Sequence, residues 1–176
     1  MDENTNTVQK KKHASPGVDD FDRRILGALV LDAGATYADL GKQVGLSAPA
    51  VHERVKRLRK RGVIKATSAL LDGSSMGKPL LAFVHVDFVG WGKSKKMLEL
   101  ADYPEVEEMH SVAGDTGMIL KVRTADAHAL ELLLSRLYAL SGVATTRSYI
   151  TLSTFLERPV QAGVTDAWPE LLMPEE

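Results

Sequence analysis

Residues 36–61, TYADLGKQVGLSAPAVHERVKRLRKR, read as two short helices joined by a tight turn. Thr36 is placed to cap the first helix, its hydroxyl accepting from an orphan backbone N–H of the opening turn. Leu40 and Val44 then fall four apart on one helical face. Gly41 lies where a facing helix must come close, and the absence of a Cβ permits that approach. Gly45 ends the first helix, because a left-handed terminal residue costs glycine nothing. Ser47 caps the second helix, and Pro49 is tolerated in a first turn whose N–H groups have no intrahelical partner.

In that second helix Ala48, Val51, Val55 and Leu58 recur at spacings of three or four and form a single apolar stripe. Residues 42–65 hold eight Lys or Arg against one acid, Glu53. A helix fixed to a partner on its apolar side and cationic on the other suits the major groove of double-stranded DNA. Its first residues then meet base edges and its later Lys and Arg meet phosphates. Ser47, Pro49, His52 and Glu53 are the base-edge candidates, and Arg54, Lys56 and Arg57 the phosphate candidates. A charge run alone reads as the solvated face of a bundle helix. The glycine turn, the cap and the one-sided charge together favour a helix-turn-helix.

The 176 residues allow one domain or two small ones, and 44% apolar with 26% charged residues is ordinary for a folded soluble protein. No cysteine is present, which excludes a disulfide framework, a thiolate metal site and a cysteine nucleophile. The opening MDENTNTVQKKKHASPG lacks the apolar segment of a secretory signal, and no apolar run nears membrane-spanning length. The expected location is cytoplasmic, with no membrane partner. Charge is unevenly spread along the chain. Residues 1–18 carry three Lys against two acids, 19–65 ten Lys or Arg against six, and 66–176 nine against fifteen, within a net charge of −1. A nucleic-acid surface is therefore expected in the N-terminal third.

In chain order, residues 1–17 are polar, end in Ser-Pro-Gly and read as a disordered arm. Residues 18–64 form the helix-turn-helix domain, whose first helix opens at Asp19 or Asp20 and turns Phe21, Ile25, Leu26 and Leu29 inward. Residues 65–79 are a linker, an extended strand followed by turn chemistry at Asp72-Gly73. Residues 80–158 form a second domain. Its first strand, 80–89, alternates Ala82, Val84, Val86 and Phe88 with Phe83, His85 and Asp87. Residues 94–103 are helical, 106–113 and 118–124 are strands, Asp126 caps a long helix, and 143–156 make a long final strand. The order β-α-β-β-α-β is the ferredoxin-like arrangement, with both helices on one face of a four-stranded antiparallel sheet. The other face carries Phe83, Ile119 and Tyr149 and is expected to be covered by a second subunit's sheet. In the tail, 159–176, Trp168, Leu171 and Leu172 either anchor on a surface or stay unfolded.

A basic helix-turn-helix, an extended strand and a βαββαβ domain, in that order, resemble the Lrp/AsnC (feast/famine) family of bacterial and archaeal transcription regulators. The resemblance covers about residues 18–158. Asp19, Asp22, Arg23, Ile25 and Leu26 match the family's opening pattern. Leu40, Val44, Gly45, Leu46, Ser47, Val51, Arg54, Val55, Lys56, Arg57 and Leu58 match its helix-turn-helix, and Gly62, Val63, Ile64, Ala69, Leu71 and Asp72 the segment that follows. The resemblance implies an α+β chain, an N-terminal three-helix (winged) helix-turn-helix domain joined by an extended strand to a C-terminal ferredoxin-like domain.

The resemblance also implies a homodimer built through the sheets, assembling to a tetramer or octamer, with an amino acid or related metabolite bound between dimers. The effector residues it implies are Gly114, Asp115, Thr116, Gly117 and Met118, with Thr146 and Ser148 at the start of the last strand. Glycine N–H groups can take a carboxylate, Asp115 an α-ammonium, and the hydroxyls the remaining polar atoms. Where an aromatic and then a polar or acidic residue are common in the family, this chain has Thr116 and Gly117, which implies a more open, less charged pocket. A plain β-turn is the competing reading of the same four residues.

An enzymatic constellation does not assemble. His13, His52, His85, His110 and His128 are dispersed without metal-ligand spacing, and neither a serine-nucleophile motif nor a Walker-type loop is present. No catalytic residue, metal or cofactor is therefore expected. His85 and His110 can meet only if their strands are neighbours. Two alternatives stay open: an architectural DNA-binding protein without effector, and a subunit resembling sirohaem decarboxylase. The latter shares the family architecture but has no use for a dense basic helix.

Overall fold

A computed structural model describes residues 17–89 and 98–165. The arm at 1–16, the start of the helix expected at 94–103, and Trp168, Leu171 and Leu172 lie outside the described residues. The chain divides into two units, residues 17–68 with 158–165 in one and 69–157 in the other.

Three helices build the first unit: α1 (Asp20–Leu31), α2 (Tyr37–Val44) and α3 (Ala48–Lys60). α1 begins with a reciprocal cap. The Asp19 carboxylate accepts from the Asp22 N–H at 2.8 Å and the Asp22 carboxylate from the Asp19 N–H at 3.4 Å, satisfying two donors that the helix itself leaves orphaned. Thr36 caps α2 through the Asp39 N–H at 3.2 Å, and Gly45 ends it in the left-handed region at φ +75°. The N–H groups of Gly45 and Leu46 both close onto the Gly41 carbonyl at 2.9 Å, which forms the tight turn into α3. Ile25, Leu40, Val44, Val51 and Val55 are the buried core of this unit, and Leu58 is buried as well.

No strand lies among residues 17–79, so the expected wing and the linker strand are both absent. A strand exists only against a partner that takes its backbone hydrogen bonds, and residues 65–71 have none among the described residues. The turn chemistry after it is present. Asp72 accepts from the Ser75 N–H at 2.6 Å within a turn over residues 73–77.

The second unit holds β1 (Leu80–Phe88), a 3-10 turn (Glu99–Asp102), β2 (Val106–Ser111), β3 (Met118–Thr124), α4 (Ala127–Tyr138) and β4 (Val143–Ile150). The sheet is antiparallel with order β2-β3-β1-β4. Ala82, Val84, Val86, Met118, Leu120 and Val122 face Leu100, Leu130, Leu133 and Leu137 in one core. The Asp126 carboxylate caps α4 through the Ala129 N–H at 2.8 Å.

Two strands are shorter than expected. β2 stops at Ser111 rather than Ala113, where Val112 turns its N–H to the Gly117 carbonyl. β4 stops at Ile150 rather than Leu156. Ile150 pairs with Ala82, and the Thr151 N–H reaches the Leu81 carbonyl at 2.9 Å. β1 begins at Leu80, behind a proline without an N–H, so residues 152–156 have no ladder to join.

Candidate nucleic-acid interface and effector loop

The candidate DNA face is the side of α3 opposite Val51, Val55 and Leu58. Ser47 sits at the N-cap and its hydroxyl accepts from the Ala50 N–H at 3.4 Å. Pro49, His52, Glu53 and Lys56 are exposed. The His52 ring lies 5.2 Å from the Tyr37 ring, and its Nδ1 is 3.5 Å from a Glu53 carboxylate oxygen. These contacts join α3 to the start of α2 and restrict where His52 points.

Arg54 is placed differently from its neighbours. Its Nη1 donates to Asp19 at 2.6 Å and to Asp22 at 2.8 Å, and its guanidinium carbon lies 5.3 Å from the Phe21 ring centroid. Asp22 is 1% exposed, so this is a buried ion pair between α1 and α3. Arg57 reaches the same carboxylate, its Nη2 donating to both Asp22 oxygens at 3.1 Å, yet its side chain stays 49% exposed. The Arg54 hydrogen bond, followed by the Asp22 N–H, holds the Asp19 carboxyl below the ordinary carboxylate range. The hydrogen bonds to Asp19 and then Asp22 push Arg54 upward. Arg54, expected at a phosphate, is committed inside the unit. The buried acid that takes it stands out in the sequence only as part of a family pattern.

The effector loop and Thr146 gather at one end of the sheet. Thr116 is buried, its hydroxyl donating to the Val86 and Met118 carbonyls at 3.3 and 3.4 Å. A Cβ on Gly117 would stand 3.1 Å from Phe88 Cδ2. Phe88 thus leaves little room for a side chain at position 117, although Gly117 itself is exposed, as are Gly114 and Asp115. Met118 is buried, and it shares a row with Thr146 on the helix-covered face, Val86 lying between them.

Thr146 donates to the Tyr138 oxygen from its N–H at 3.2 Å and its hydroxyl at 3.0 Å, which draws the Tyr138 phenol below its usual range. Gly114, Asp115 and Ser148 are exposed. Arg147, absent from the expected set, donates to the Asp115 carbonyl at 3.4 Å and pairs with Asp87 at 3.2 Å. An open cleft of about 510 Å³ lined by Glu99, Asp102, Tyr103, Arg136 and Leu140 contains none of the candidates.

The face of the sheet away from α4 is half apolar and half ionic. Phe83 is 40% and Tyr149 54% exposed, with the His85 ring 4.8 Å from Tyr149. Beside them Lys121 and Arg123 bind Glu107 and Glu157 at 2.5–3.1 Å. β3 lies between β1 and β2, so His85 and His110 are separated by Ile119 and do not meet. Among the described residues no cluster of His, Asp and Glu could hold a metal.

Comparison with known proteins matches both units. The AsnC-type helix-turn-helix domain matches residues 18–59, and the Lrp/AsnC ligand binding domain matches residues 82–161. The chain belongs to the Lrp/AsnC family of transcriptional regulators. This Lrp/AsnC regulator is 40% identical over 139 residues to the HTH-type transcriptional regulator LrpA of Mycobacterium tuberculosis, covering 78% of this chain and 92% of that protein. It is 34% identical over 140 residues to the HTH-type transcriptional regulator FL11 of Pyrococcus horikoshii, covering 80% and 93%. Such coverage spans both domains rather than the DNA-binding half alone.

Among solved structures, the feast or famine regulatory protein of M. tuberculosis complexed with L-methionine superposes with a TM-score of 0.75 at 37% identity, covering 83% of this chain and 99% of that one. A transcriptional regulator of Neisseria meningitidis, also complexed with L-methionine, gives 0.71 at 27%, covering 80% and 93%. The relatives of this Lrp/AsnC regulator are named as regulators, not as enzymes.

Proposed function

We propose that this Lrp/AsnC regulator reads DNA by placing α3 in the major groove, with Ser47, Pro49, His52 and Glu53 at base edges and Lys56 and Arg57 at phosphates. Arg54 leaves that set, because its guanidinium is committed to Asp19 and Asp22. The observation that carries the reading is the division of α3. Val51, Val55 and Leu58 are buried while Pro49, His52, Glu53 and Lys56 stand exposed behind a capped N-terminus. The protein acts as a homodimer joined through the open sheet faces, which would cover Phe83 and Tyr149, and assembles further to tetramers or octamers. A two-fold dimer then reads half-sites about one helical turn, ~34 Å, apart or a multiple of it.

The effector is an amino acid or a metabolite of similar size, held at the loop of Gly114, Asp115, Thr116, Gly117 and Met118. Support comes from the two methionine complexes among similar structures and from the exposed Asp115 carboxylate, which has no partner among the described residues. A thermal-shift panel of the twenty amino acids, starting with L-methionine, tests this part. Ligand at about a hundred times its Kd adds roughly 2.7 kcal/mol to the folded state, a rise of roughly 5–10 °C in Tm for a chain of this size.

A second reading, an architectural DNA-binding protein without effector, is favoured by one feature. The hydroxyls of Thr116 and Thr146 are already bonded inside the fold. Unchanged Tm with every amino acid is the outcome that reading expects.

A further inference from the structure

Arg57 is anchored at one end only. Its Nη2 is held by both oxygens of the buried Asp22, while Nε and Nη1 make no hydrogen bond among the described residues, and half of the side chain is exposed. Asp22 is itself held from three further sides, by the Asp19 N–H, by Arg54, and by its place in the first turn of α1. Phe21 packs against the Arg54 guanidinium and closes the network. An arginine on a bare helix face has many rotamers to lose when it grips a phosphate. One whose amino group is already fixed loses fewer, and its planar fork keeps the other donors in a set direction.

We infer that Asp22 is a positioning residue for DNA binding: it holds Arg57 on α3 so that the unused guanidinium edge is presented to a backbone phosphate. The inference rests on the proposed phosphate contact of Arg57. It carries a consequence that runs against simple charge counting. Asp22 is an acid beneath a DNA-binding helix, so removing its charge ought to tighten binding if only net electrostatics mattered. Positioning requires the reverse.

The test uses the full-length protein and a fluorescently labelled, mixed-sequence DNA duplex titrated across a series of salt concentrations. For Asp22→Asn the expected result is binding roughly five- to tenfold weaker at about 0.1 M salt, with the salt slope smaller by about one, as for the loss of a single phosphate contact. Arg57→Ala should give the same two changes, and the double variant should bind no worse than Arg57→Ala alone. A further loss in the double variant would mark Asp22→Asn as general damage to the unit and overturn the inference, as would equal or tighter binding by the single variant.

A measurement on the unmodified chain guards against a variant that fails to fold. The Arg57 Nε–H should be rigid in the free protein, with an NMR order parameter near about 0.8, and a value below about 0.6 would overturn the tether. Failure of the unmodified protein to bind the duplex, or an Arg57→Ala slope equal to the wild type's, would overturn the underlying reading of the DNA face instead.

Discussion

Gly41→Ala is expected to destabilise the helix-turn-helix unit by about 2–3 kcal/mol, although alanine is ordinarily the better helix former by roughly 1 kcal/mol. The new methyl would collide with the Leu46 carbonyl oxygen, a backbone atom that cannot rotate aside. That carbonyl belongs to the turn into α3, whose N-terminal side also donates N–H bonds back to the Gly41 carbonyl. Relief of the clash would therefore pull α2 from the start of α3 and shift Ser47, Pro49 and His52 together. Urea unfolding followed by the Val51 and Val55 methyl resonances reads the loss in this unit alone. Gly27→Ala is the contrast. Gly27 lies inside α1, where a Cβ would meet nothing within 4 Å, so the same substitution should add up to about 1 kcal/mol. Equal effects at the two glycines would refute the close approach at Gly41.

Arg54→Ala should cost about 3 kcal/mol in the same assay. Breaking a buried ion pair by removing one partner usually costs about 3–5 kcal/mol, and the lower end applies here because Arg57 remains on Asp22. The variant should also change the response to acid. The Asp19 carboxyl is held below its ordinary value, so its contribution is present above the ordinary carboxylate range and is lost as pH falls through the folded value. Removing Arg54 removes the largest cause of that shift. The unmodified unit should therefore lose stability as pH drops below about 4, and the variant should lose less over the same interval. A variant as stable as the parent at neutral pH would mean that Arg54 is dispensable to the fold.

Much of the architecture was legible because its signals are local. Thr36, Gly45, Ser47 and Asp126 each satisfy a helix end within four residues of themselves, and all four do so in the structure. The alternation in residues 80–88 placed Ala82, Val84 and Val86 in the core and Phe83 outside it, since successive strand residues face opposite sides whatever the partner. The second strand pair and its intervening turn followed from the same alternation broken by Gly114-Asp115-Thr116-Gly117.

The candidate sites were less legible. Composition marks Arg54, Lys56 and Arg57 as equals, yet Arg54 turns inward because α1 brings a buried carboxylate within 2.8 Å of it. Thr116 and Thr146 look like free hydroxyls in the sequence. The fold gives one to the carbonyls of Val86 and Met118 and the other to Tyr138.

The sequence by itself determined the helix-turn-helix, its caps and its basic face, the β-α-β-β-α-β order and hence the family, because each depends on residues a turn or a strand apart. Tertiary structure alone decided which arginine is internal, where β4 ends, that β3 separates His85 from His110, and that the Thr116 hydroxyl is bonded to the Val86 and Met118 carbonyls. Those outcomes depend on partners distant in the chain. A strand lasts only as long as its neighbour, and a charge is free only if no buried partner claims it.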